Sequence, residues 1–157
     1  MKAIACLSGI SIIAISLIMT SSARPEDIGG TDICQVIGNA APEPLGDREG
    51  HAISVEQDSC RISSGPLAGA VISGTEYWEW DKTSAVLLSG GGIERKPGAT
   101  SAFQLTDGKL DLIMSDGKVT GIVGSGHGRW TLATGDAASM AGKSYSWSSK
   151  LTGPPAR

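Results

Sequence analysis

The sequence predicts an all-β chain: a small antiparallel closed β-barrel of the calycin-like kind, with about eight strands and an irregular N-terminal arm. One observation is the hairpin Lys109–Val123, in which Asp116-Gly117 separates two alternating apolar runs. A two-residue type I′ turn needs φ > 0 at both central positions, and Asp-Gly adopts it readily. A second is that short alternating runs, broken by turn residues, recur roughly every ten residues from His51 onward with no amphipathic helix between them. The third is composition. Glycine makes up 22 of 157 residues and phenylalanine only one, and glycine at that level disfavours helices and suits turns, bulges and tight curvature.

The chain opens with a segment that does not belong to the barrel. Met1-Lys2 is a short positive start, Ala3 to Met19 carries no charge, and Ser21-Ser22-Ala23 ends the run with small residues. This pattern predicts a secretory signal peptide over 1–23, cleaved after Ala23. An uncleaved anchor fits less well, because about 17 apolar residues are at the short edge for a bilayer and no charged cluster follows. Cys6, followed by Leu7 and Ser8, lies too early in the run for a lipoprotein acylation site. After cleavage, 12 Lys and Arg face 16 Asp and Glu, a net charge of −4. That balance gives no footprint for nucleic acid, and no later stretch is apolar enough for stable membrane insertion as a helix. The expected location is secreted or periplasmic. Export also fits the cysteines: Cys34 and Cys60 are the two left, and they predict one disulfide closing a loop of about 27 residues and contributing roughly 3 kcal/mol. No Cys-x-x-Cys spacing suggests a redox pair.

Residues 24–50, rich in Pro, Gly, Asp and Glu, read as the irregular arm, with one short apolar segment at Ile33–Ile37 tied down by Cys34. Residues 51–157 read as the barrel domain. Its predicted strands are Ala52–Glu56 with Cys60–Ile62, Ala68–Trp80, Ser84–Leu88, Ile93–Arg95, Thr100–Leu105, the two arms of the hairpin, Arg129–Ala133 and Lys143–Leu151. In the hairpin, the turn sets Met114 opposite Val119, Leu112 opposite Gly121 and Leu110 opposite Val123, with that face inward.

The segment Gly126-His-Gly-Arg-Trp-Thr-Leu-Ala-Thr-Gly-Asp-Ala-Ala-Ser-Met-Ala-Gly142 continues into another aromatic strand. Over about residues 118–150 it resembles the closing hairpin of the allene oxide cyclase and dirigent type of β-barrel. The resemblance implies an eight-stranded closed barrel with a cavity. No catalytic residue of either family matches a position here, so it implies a fold and no activity.

Chemistry-bearing patterns are few. His51 and His127 are the only histidines and have no ligand spacing, Asp107, Asp111 and Asp116 lack the pattern of a calcium loop, and neither metal nor cofactor is expected. Trp78 and Trp80 share a strand face. With Trp130 and Trp147 they are the candidate lining of a pocket for a small apolar or amphipathic ligand, although paired tryptophans also fill cores. If the inward phase of Val119, Gly121 and Val123 ran on unbroken, Ser125, His127 and Arg129 would point inside, with Glu76 or Glu79 as the carboxylate partner. That cluster is the candidate catalytic set for an enzyme of the cyclase or isomerase sort. A bulge among Gly124–Gly128 would instead bury Trp130 and Leu132, which is the preferred reading. The preferred expectation is therefore a ligand-binding protein, with the cyclase- or isomerase-type enzyme as the alternative and a structural or surface-interaction protein as the third possibility. Oligomeric state is not legible.

Overall fold

The computed structural model describes residues 30–37 and 41–152, and the predicted signal peptide lies outside the described residues. The chain forms one antiparallel sheet of β1 (Asp32–Ile37), β2 (Glu43–Pro44), β3 (His51–Ile62), β4 (Val71–Asp81), β5 (Ser84–Lys96), β6 (Ala99–Ser115), β7 (Lys118–Gly135) and β8 (Ser144–Thr152). A short 3-10 turn, Ala138–Met140, precedes β8. Strand order is β1-β3-β4-β5-β6-β7-β8, with the two-residue β2 lying against the start of β3. Among the described residues no ladder joins β8 back to β1. The sheet is thus an open half-barrel, where the sequence predicts a closed ring.

The strands are fewer and longer than the turn residues suggest. Gln57-Asp58-Ser59, Gly90-Gly91-Gly92 and Gly124–Gly128 all stay inside strands. Glycine there does not end a strand; it leaves room beside one. Gly128 pairs with Tyr145 and Gly126 with Trp147 across the β7–β8 ladder. A Cβ built on Gly128 would collide with the Tyr145 ring, and one on Gly126 with the carbonyl oxygen of Asp107. The aromatics of β8 need those bare positions.

The hairpin turn forms as expected, with φ of 50° at Asp116 and 74° at Gly117. Met114 pairs with Val119, but the register then slips: Ile113 meets Gly121, Leu112 meets Ile122 and Leu110 meets Gly124. Thr120 is the extra residue, a β-bulge that moves β7 by one position and turns Ile122, not Gly121 or Val123, toward the core. Met114, near the turn, is 46% exposed. Two further slips leave Thr106 and Thr131 without partners in the ladder. Thr131 explains why Trp130 is buried while Leu132 is 59% exposed, against the expectation that both lie inside.

The apolar interior has two clusters. One gathers Cys60, Ile62, Leu67, Ala70, Ile72, Ala99, Trp130, Ala137 and Met140. The other holds Ala52, Trp78, Trp80, Ala85 and Leu110. Cys34 and Cys60 are directly opposed in the β1–β3 ladder and form the expected disulfide, which fastens β1 to the sheet.

Candidate functional site

Between the edges of the open sheet lies a cleft of about 1010 Å³, bounded by Asp32 on the β1 side, Ser144–Ser148 on the β8 side, and Glu94 and Trp130. Alternation along β8 turns Tyr145 and Trp147 toward it. The Trp130 and Tyr145 rings pack with centroids 4.4 Å apart, and Trp147 meets Trp78 edge-on at 6.4 Å. The indole N–H of Trp147 is buried with no hydrogen-bond acceptor among the described residues.

The same concave face carries acids. Inward positions of β3, β4 and β5 place Glu56, Asp58, Glu76 and Glu94 there, and Glu56 sits directly opposite Glu76. Like charges directly opposed destabilise a sheet unless one is neutral. Burial, reinforced by the charges of Glu56 and Asp58, pushes Glu76 up to about 7, while the hydrogen bond from Nε1 of Trp78 (3.1 Å) acts the other way. Glu56 and Asp58 are also raised, mainly by burial. The Tyr145 hydroxyl is raised by burial and by the charges of Glu94, Glu76 and Asp32. Glu94, 8% exposed, accepts from Nε1 of Trp130 (3.0 Å) and from the Ser101 hydroxyl. The two lysines in the inward phase stand at strand ends: Lys96 donates to the Pro66 carbonyl, and Lys143 is exposed on the cleft's lip.

Of the four tryptophans expected to line a pocket, Trp130 and Trp147 line the cleft. Trp78 and Trp80 are core: their indole N–H groups are spent on Glu76 and on Ser54 (2.8 Å). Tyr145, Glu94 and Asp32 complete the wall. No motif in the sequence marks them, although Glu94 follows the alternation of its strand.

The candidate catalytic set does not assemble. His127 is 62% exposed on the outer face beside Asp107, and Arg129 is exposed on that same face. Glu76 is on the concave side, while Glu79, on the outer face of β4, accepts from Nε2 of His51 at 2.8 Å. The physical reason is the Thr120 bulge, which reverses the phase that would have turned His127 inward. Asp32, Cys34 and Cys60 bring donor atoms together, but the disulfide occupies both sulfurs and leaves no thiolate for a metal. No protein-family model, curated protein or solved structure matches the chain.

Proposed function

We propose that the chain is an exported binding protein whose cleft takes a small amphipathic ligand bearing a cationic group. One observation carries this reading: an open aromatic-walled cleft whose concave face holds several carboxylates and, among the described residues, no cation paired with them. A volume of 1010 Å³ suits a drug-sized or lipid-like molecule. The faces of Trp130, Tyr145 and Trp147 would receive its apolar part. An ammonium group would meet Glu94 and Asp32 in the wall, feel the charge of Glu76 on the same concave face, and gain a cation–π contribution from the rings. The leader-like start and the disulfide support export. A closed eight-stranded ring, as the resemblance to allene oxide cyclase and dirigent barrels implies, would keep these walls and join β1 to β8 over the ligand.

The test is tryptophan fluorescence during titration with alkyl compounds of equal chain length that end in ammonium, hydroxyl or carboxylate. Saturable change with the ammonium compound, weaker with the alcohol and weaker still with the carboxylate, is expected, and Trp147→Phe should reduce the signal. A flat response to all three removes the proposal.

A further inference from the structure

We infer that Asp107, His127 and Ser146 form a second site, on the outer face, that transfers acyl groups from small activated esters to water. It shares Ser146 with the β8 rim of the cleft but does not rest on the cleft reading.

The three residues stand in one row across three neighbouring strands. Asp107 on β6 pairs with His127 on β7, and His127 pairs with Ser146 on β8. A shallow pocket of about 520 Å³ opens over them. The row exists because of the Thr106 bulge. With regular pairing after Leu105↔Gly128, Thr106 would face His127 and Asp107 would turn to the concave side. The extra residue brings Asp107 out and opposite the histidine, and re-aiming a side chain beside a functional site is a recurrent use of bulges.

The carboxylate is fixed from two directions. Nδ1 of His127 lies 2.9 and 3.0 Å from the two oxygens of Asp107, and the His127 backbone N–H donates to Oδ1 at 3.1 Å. A carboxylate on Nδ1 holds the proton there and leaves Nε2 as the basic nitrogen. Ser146 lies on the other side of the ring from Asp107, on an adjacent strand about 4.8 Å away, with its side chain exposed. Lys109 also lines this pocket and brings a positive charge to it.

The chemistry follows from these roles. Ser146 Oγ attacks the ester carbonyl carbon as its proton passes to Nε2 of His127, and Lys109 faces the negative charge that develops on the carbonyl oxygen. The C–O bond to the alcohol then breaks, and the alcohol leaves with the proton from Nε2. Water repeats the sequence with His127 as base, releasing the acid and restoring Ser146. Asp107 touches no substrate and is a positioning residue.

The full chain is incubated with a fluorophosphonate probe and the modified residue is found by peptide mass spectrometry, alongside hydrolysis of p-nitrophenyl acetate. Attachment to Ser146 is expected. His127→Ala should slow attachment at least 100-fold, Ser146→Ala should abolish it, and Ser115→Ala, at the exposed end of β6, should leave it unchanged. Asp107→Asn should lower kcat for the acetate with KM little altered, which a merely structural role would not produce. Attachment at Ser125 instead, no attachment at all, or equal rates in wild type and His127→Ala would overturn the assignment. Circular dichroism on each variant confirms that a loss is not unfolding.

Discussion

At the residue scale, two titrating groups tie stability to pH, and both act in the same direction. His51 is 10% exposed with a carboxylate on each ring nitrogen: Asp47 at 2.5 Å on Nδ1 and Glu79 at 2.8 Å on Nε2. The hydrogen bonds to Asp47 and then Glu79 raise its pKa, against burial and the nearby charge of Arg48. A raised histidine contributes its full stabilisation below its ordinary value near 6.5 and loses it as pH climbs through the folded value. His51→Ala should therefore cost more stability at pH 6 than at pH 9, as read from denaturant midpoints at each pH. Glu76 is raised by burial from 4.5 to about 7, so its ionisation above that pH opposes folding. The penalty sets in between about pH 4.5 and 7 and is full above. Glu76→Gln keeps an acceptor for Trp78 and should stabilise the protein at pH 8 by about 2 kcal/mol, with little effect at pH 4. An unchanged midpoint at pH 8 would show that solvent reaches the carboxylate freely.

At the element scale, local chemistry is legible in the sequence and single-residue insertions are not. The Asp116-Gly117 turn can be read because its requirement is met by two adjacent residues. The strand alternation around Trp78, Trp80, Tyr145 and Trp147 can be read for the same reason. The bulges at Thr106, Thr120 and Thr131 cannot, since a threonine left unpaired looks like any strand threonine, yet each reverses the facing of the residues beyond it. That is why alternation puts Trp130 inside correctly but Leu132 wrongly, and leaves the inward alternative for His127 open. The glycines of β7 mislead for another reason. They look like breaks, but Gly126 serves close approach between backbones, with the Asp107 carbonyl crowding the place where a Cβ would stand and the Gly108 Cα at 2.8 Å from it. Backbone cannot step aside as a side-chain tip can. Gly126→Ala should destabilise by about 2–3 kcal/mol, whereas Val123→Ala, on the exposed face of the same strand, should stay within about 0.5 kcal/mol. Urea melts of the pair decide whether the glycine is a spacer or a break.

At the scale of the whole molecule, the open ring is not legible, because whether β8 meets β1 depends on curvature accumulated over the sheet and not on any one segment. The acids of the concave face are equally hidden, since Glu56, Asp58 and Glu76 share that face with Glu94 of the cleft wall only through pairing between strands. That assembly makes a prediction about ligand binding as a function of pH. A cationic ligand interacts better with ionised Glu76 than with the protonated acid, so affinity should rise as pH passes through about 7. Linkage is reciprocal: whatever factor ionisation adds to affinity, the bound cation must apply in lowering the glutamate's pKa, so binding releases a proton near neutrality. If the cation shifts Glu76 by about one unit, the dissociation constant of an alkylammonium ligand should fall about tenfold between pH 5.5 and 8.5. Glu76→Gln should flatten that profile, and a carboxylate-ended ligand should show the opposite slope. Fluorescence titrations across this range measure all three. Equal slopes for ammonium and carboxylate ligands would mean that pH acts on the fold and not on the charge facing the ligand.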